Sequence, residues 1–107
     1  MWIFTKNGFV SCVQHRENTD VIIVRARKRE HLASFVGAQL AANIFTLEFS
    51  DYQYRIELPR ATLQQLVAAQ IDQLDYPNFK NSIGFDEMDY QRACGATWEV
   101  FYHAYRN

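Results

Sequence analysis

The sequence contains few of the residues that interrupt or cross-link a fold. Among 107 residues there are two cysteines, four glycines and two prolines, while 49% are hydrophobic and 15% aromatic. This composition is typical of an ordered globule and excludes a disordered tail. A chain of this length can bury a core without a metal or a disulfide. We therefore predict a single domain over residues 1–107 that needs no cofactor.

Long apolar runs and excess charge of one sign are also missing. No stretch approaches the roughly 18 apolar residues of a membrane span, and no signal peptide precedes the first strand pattern. Cys12 and Cys94 lie in unlike patterns and are predicted to be buried, reduced thiols. These features predict a cytoplasmic protein without membrane contact. The formal net charge of −1 gives no overall attraction to nucleic acid.

Catalytic and metal-binding signatures are absent as well. The histidines His15, His31 and His103 show none of the spacings typical of zinc ligands. In a helix, Cys94 and His103 would lie about 13 Å apart along the axis, too far for a nucleophile–base pair. The carboxylates of residues 72–89 fall in turn-rich sequence, where they usually cap helices or face water. We therefore predict a protein that is not an enzyme and holds no metal.

Aromatic and β-branched residues predict three strands at the start of the chain. The segments are 2–5, 9–15 and 21–27. Asn7-Gly8 predicts a tight hairpin turn between the first two, because both residues tolerate positive φ. In the third segment the even-numbered residues are expected to face inward, with Arg25 and Arg27 outward.

The stretch Phe45–Leu58 alternates between polar and apolar residues and inverts its phase at residues 50–51. A hairpin with a two-residue loop explains the inversion. A β-bulge in one long strand is the alternative. The hairpin places Tyr52 and Tyr54 on the apolar face of the sheet and Arg55 on the polar face.

Apolar stripes at helical spacing predict three helices. They cover 29–42, 61–74 and 86–105. The order β-β-β-α-β-β-α-α predicts an α+β fold, an antiparallel sheet of about five strands with helices mainly on one face. Its middle part, β-α-β-β-α, is the arrangement of a split βαβ unit and predicts a ferredoxin-like variant.

Short motifs are distributed over nearly the whole chain. They are MWIFT followed by GF, VRAR at 24–27, DYQYR at 51–55, DYPNFK at 75–80 and W-x-V-x-Y at 98–102. Through these motifs the sequence resembles an uncharacterised family of small bacterial and prophage proteins. Members of that family begin with the motif MW-[IL]-FT. The resemblance implies a single intracellular domain and supplies no catalytic residue.

Two segments are the candidate partner-binding sites. Arg25 and Arg27 project from one strand face, and Arg55 joins them if the strands are neighbours. The second segment is the connection that carries Tyr76, Asn78, Phe79 and Lys80, because connections between rigid elements often carry binding residues.

The expected function is that of a non-enzymatic module that docks on a partner protein. An inhibitor, an immunity protein or a phage counter-defence (anti-CRISPR-like) protein would fit. Nucleic-acid binding by the arginine face is the alternative. Two observations count against it: Tyr52 and Tyr54 are expected on the opposite face, and Glu48 and Glu57 share the basic face. A small-ligand domain would need an apolar pocket, and a homodimer would hide exposed aromatic residues.

Overall fold

The computed structural model describes residues 1–106, which fall into two compact units. The first unit runs from Met1 to Leu74 and the second begins at Asp75. The first contains β1 (Trp2–Thr5), β2 (Gly8–Gln14), β3 (Val21–Ala26), α1 (Arg29–Val36), α2 (Ala38–Ala41), β4 (Phe45–Thr46), β5 (Tyr54–Pro59) and α3 (Arg60–Asp72). The second contains α4 (Phe79–Ser82) and α5 (Met88–Tyr105). The α+β class is confirmed, and the single domain stays a prediction.

The five strands form one open antiparallel sheet in the order β1-β2-β3-β5-β4. Because β5 lies between β3 and β4 and is antiparallel to both, β3 and β4 are parallel to each other. The segment from β3 through α1 to β4 is therefore a split βαβ unit, as the sequence predicted. The N-terminal hairpin adds β2 and β1 on the other side of β3.

The core lies between one face of the sheet and two helices. Alternate residues of the three central strands are buried there, and α1 and α3 cover them. The cluster comprises Val10, Cys12, Ile22, Val24, Ala26, Leu32, Phe35, Val36, Ile56, Leu58 and Leu63. The other face of the same strands therefore carries Ser11, Arg25 and Arg55.

The predicted two-residue hairpin loop is wrong. The chain leaves β4 after Thr46 and rejoins the sheet only at Tyr54, so residues 47–53 form a wider loop. Phe45 lies opposite Arg55. The wide loop frees Tyr52 from the strand ladder, and its ring packs against arginines instead of the core.

The first predicted helix, 29–42, is divided by Gly37. This residue has a φ of 90°, which ends α1 at Val36 before α2 begins. A positive φ costs glycine little, because it has no Cβ. In α3 the apolar stripe reaches the core only in its first half, since Ile71 is exposed.

A close approach between the first hairpin and α1 requires glycine at position 8. The turn residues are Lys6 and Asn7, one place earlier than predicted, so Gly8 already pairs with Thr5. Gly8 has a φ of 148°, and a Cβ there would lie 2.3 Å from Cγ of His31.

Gly8→Ala is therefore expected to lower the free energy of unfolding by about 3 kcal/mol, from backbone strain and overpacking. Urea denaturation measures this change. Gly95→Ala is the matched control: nothing in the described chain lies within 4 Å of its added Cβ. In helix α5 that change should stabilise by roughly 0.5–1 kcal/mol. Equal effects of the two substitutions would contradict the crowding at Gly8.

Candidate functional site

The three predicted arginines of the first unit lie together on the face of the sheet that the helices leave uncovered. Arg25 on β3 pairs directly with Arg55 on β5. Arg25 is also opposite Ser11 on β2, and its Nη2 donates a hydrogen bond of 2.7 Å to Ser11 Oγ. Arg27 follows just after β3 and is exposed. The sequence prediction of one basic face is confirmed.

Tyr52 forms the centre of this group. The guanidinium carbons of Arg25 and Arg27 lie 4.5 Å and 4.6 Å from the centroid of its ring. The residue is only 5% exposed. Two cation–π contacts therefore hold both arginines in place before any partner arrives. The prediction that Tyr52 lies on the opposite face is wrong, whereas Tyr54 packs against the core as expected.

Two of the arginines also fasten the loop of residues 47–53. Arg55 Nε donates to the Tyr52 carbonyl at 3.0 Å, and its Nη2 donates to Ser50 Oγ at 2.7 Å. Arg27 Nε donates to the Asp51 carbonyl at 3.3 Å. We call Arg25, Arg27, Arg55 and Tyr52 the arginine–tyrosine cluster. It fixes the second half of the loop to the sheet.

Phe49 stands at the tip of this loop and is fully exposed, at 103% of its reference area. Its φ is 64°, the one positive φ outside glycine in the described chain. A bulky residue in the left-handed region costs of order 1–3 kcal/mol, and such strain is concentrated at functional sites. The backbone conformation that exposes this aromatic ring therefore lowers the stability of the folded protein.

The charge of the cluster is not neutralised internally. Over residues 1–106, none of its three guanidinium groups forms an ion pair with a carboxylate. Glu57 lies on the same face, but its carboxylate is 3.9 Å from Nε2 of His15. The three arginines therefore give the cluster positive charge, with the Asp51 carboxylate of the loop close to it, and this charge favours an anionic partner group.

Aromatic rings border the cluster on the hairpin side. Phe9 lies 6.3 Å from Tyr52 between ring centroids and stacks on Phe4 at 4.6 Å. Trp2 meets Phe9 edge to face at 5.8 Å and is 64% exposed. We call Trp2, Phe4 and Phe9 the aromatic border.

The second predicted segment belongs to the other unit and is considered separately. It is partly helical: Asn78 caps α4 by accepting a hydrogen bond from the Asn81 amide at 3.1 Å. The rings of Tyr76 and Phe79 are 6.0 Å apart. Lys80 places its Nζ 4.7 Å from the centroid of the Trp98 ring. These four candidate residues make contacts within their own unit. Their role in partner binding stays a prediction.

Helix α5 also carries exposed aromatic residues on its second half. Trp98, Phe101, Tyr102 and Tyr105 are each about half exposed or more. Stacked pairs join Trp98 to Tyr102 at 5.1 Å and Phe101 to Tyr105 at 6.3 Å. The predicted homodimer, which would cover the N-terminal hairpin rather than α5, stays a prediction.

The two cysteines are free and buried, as the sequence predicted. Burial raises the pKa of the Cys12 thiol, although the N-terminal ammonium and Arg25 act in the opposite direction. Burial likewise raises the pKa of Cys94, against a hydrogen bond with Tyr90 that lowers it. Both groups are therefore protonated near neutral pH and are poor nucleophiles.

The predicted tight hairpin placed Phe49 opposite Tyr52 on the apolar face, and both placements are wrong. The signal for Phe49 was only its position beside Ser50-Asp51, a pair that favours turns. Nothing in the alternation of residues 45–58 distinguishes a wide loop from a tight hairpin. The contacts of Tyr52 depend on arginines from a different strand.

Comparison with known proteins gives no family for this chain. No family model, curated protein or solved structure matches it at a significant level. No helix in the described part of the chain is both long enough and apolar enough to cross a membrane. The resemblance to the small bacterial and prophage family stays a prediction, and function has to be argued from the site itself.

Proposed function

We propose that the protein is a non-enzymatic binding module that docks on an acidic surface of a partner protein. The observation that carries this proposal is Phe49, a fully exposed aromatic residue held in a strained conformation on the loop that Arg27 and Arg55 bind; in residues 1–106 no arginine of the cluster forms an ion pair with a carboxylate. An aromatic anchor next to arginines has the composition of a binding hot spot.

The proposed mechanism divides the work between the anchor and the cluster. Phe49 enters an apolar pocket of the partner, and its loop is already ordered by the bonds from Arg27 and Arg55. This lowers the entropy lost on association. The guanidinium groups around Tyr52 attract carboxylates, which speeds encounter and sets orientation.

The biological class that we propose is an inhibitor, an immunity protein or a phage counter-defence (anti-CRISPR-like) protein. Such proteins act by covering a surface of their target and need no chemistry of their own. The protonated thiols and the absence of a described cluster of three metal-binding side chains give no support to an enzyme.

The first test replaces the anchor. Phe49→Gly relieves the left-handed strain but adds freedom to the unfolded chain, so the free energy of unfolding should stay within about 1 kcal/mol of wild type. Loss of a hot-spot side chain should weaken partner binding by roughly 30-fold or more. The measurement is affinity capture from the host with tagged wild type and variant, followed by titration of the captured partner.

Phe85→Gly is the matched control, because Phe85 is equally exposed at 93% but lies in the other unit. It should capture the same partner as wild type. Capture of identical proteins by wild type, Phe49→Gly and Phe85→Gly would contradict docking through this loop.

The second test addresses charge. Arg27→Glu should weaken binding of the same partner by roughly tenfold or more. Added salt should reduce the difference in affinity between wild type and variant, because it screens the charges. Arg16→Glu changes the charge equally at an exposed residue outside the cluster. Equal weakening by both substitutions would show a general charge effect and contradict a role for the cluster.

Single-stranded nucleic acid is the second candidate, favoured by the aromatic border beside the arginines on the same face of the sheet. That arrangement resembles the stacking and phosphate-binding surface of an RNA-binding sheet. Against it, Phe4 and Phe9 stack on each other, and donors of all three arginines already bond to the protein.

Fluorescence anisotropy with a labelled single-stranded RNA decides between the two candidates. We expect no binding at low salt. Binding that falls steeply as salt rises, and that Trp2→Ala weakens, would support the nucleic-acid candidate instead.

A further inference from the structure

A second surface feature lies on the helix side of the sheet, across the strands from the arginine–tyrosine cluster. It is an open pocket of about 550 Å³ between α3 and strands β2 and β3. Its inner wall is apolar and includes Cys12, Ile22, Leu63 and Val67. This volume lies within the range of small-molecule sites, which combine an apolar lining with a few polar groups.

Arg60 and Gln14 supply polar groups at one end of the pocket. Gln64 and the N-terminal ammonium of Met1, which donates to the Cys12 carbonyl at 2.8 Å, also line it. Arg60, the first residue of α3, lines it beside Gln14, and its Nη2 donates to Gln14 Oε1 at 2.9 Å and to the Thr19 carbonyl at 2.7 Å. These bonds hold the guanidinium in position. Among residues 1–106, no Asp or Glu lines the pocket. The charge of Arg60 therefore favours an anionic group at this end.

Apolar side chains of α3 extend along the pocket away from Arg60. Ile71 lies on the same helix, about 16 Å from Arg60 along the axis at 1.5 Å per residue. Ile71 is 62% exposed, although it follows the apolar stripe of α3. Leu63 and Val67 lie between the two ends. The pocket thus joins a fixed cation to an apolar track as long as several turns of helix.

We propose that this pocket binds a small amphipathic anion, namely a medium-chain carboxylate. Its carboxylate accepts hydrogen bonds from Arg60, and its alkyl chain lies along Leu63 and Val67 and covers Ile71. Burial of the alkyl chain supplies most of the affinity. Arg60 sets the preference for an anion. This site is independent of the proposed docking function, because the two lie on opposite faces of the sheet.

The test uses decanoate as the probe, below its aggregation concentration, with decanol and acetate for comparison. Isothermal titration and thermal denaturation measure binding to the 107-residue chain. We expect saturable binding of decanoate with a rise in Tm, binding of decanol weaker by roughly tenfold, and no binding of acetate.

Two variants test the two ends of the site. Arg60→Gln should weaken decanoate by roughly tenfold and leave decanol unchanged, since it removes the charged partner alone. Ala68→Trp fills the pocket from its exposed rim and should abolish binding of both ligands. Arg16→Gln, at an exposed residue outside the pocket, is the control and should bind like wild type.

Three results would overturn the proposal. They are no saturable binding of decanoate to the wild type, full binding by Ala68→Trp, and equal loss of decanoate and decanol in Arg60→Gln. The Arg27→Glu variant separates this proposal from the docking function. It should bind decanoate like wild type, whether or not its binding of the protein partner is weakened.

Discussion

Replacement of Tyr52 by alanine is expected to lower the free energy of unfolding by about 3 kcal/mol. The ring is 5% exposed and lies within 4.6 Å of two guanidinium groups. Alanine removes that buried area and both cation–π contacts at once. For a protein of this size the change should lower Tm by roughly 10–20 °C. Thermal and urea denaturation measure it.

Tyr52→Phe is the control for this prediction, since it keeps the ring and loses only the hydroxyl. It should cost less than about 1 kcal/mol and leave partner binding intact. Tyr52→Ala should weaken binding more than its stability loss explains, because Arg25 and Arg27 lose their common support. A small effect of Tyr52→Ala on both stability and binding would contradict the central place of this ring.

Leu32→Ala is expected to have an effect of similar size through a different cause. Leu32 is fully buried, at 0% exposure, where α1 packs against the central strands. Truncation leaves a cavity in a closed core and should cost about 3–4 kcal/mol. Urea denaturation measures the loss of free energy of unfolding, and the m-value should stay unchanged.

The matched control is Leu74→Ala, which deletes the same atoms from a residue that is 56% exposed. It should change the free energy of unfolding by less than about 0.5 kcal/mol. Leu32→Ala should reduce partner binding only as far as it reduces the folded fraction, because it lies on the helix side of the sheet. A loss of binding by folded Leu32→Ala protein would contradict the separation of core and docking face.

Local pattern predicted the elements that build the first unit. The alternation in β3 placed Ile22, Val24 and Ala26 inward, and all three are buried. The apolar spacing of α1 correctly selected Leu32 and Phe35. These predictions succeed because a residue that alternates or repeats along one element can satisfy its burial in only one way.

Predictions failed where two arrangements satisfy the same pattern. A tight hairpin and a wide loop both keep Phe45 and Arg55 in paired strands, so alternation alone does not choose between them. The choice depends on hydrogen bonds from Arg27 and Arg55 to backbone and side-chain groups of the loop. Those bonds need β3 and β5 to be neighbours, which is a property of the sheet.

The amino-acid sequence alone determined the α+β class, the order of the elements along the chain and the outward orientation of Arg25, Arg27 and Arg55 on their strands, because each follows from the periodicity of individual segments. Only the tertiary structure decided that Tyr52 lies beneath the arginines, that Phe49 is held in water, and that α3 and the sheet leave a pocket ending at Arg60. Those features arise from contacts between segments distant in sequence, and no local pattern encodes which segments meet.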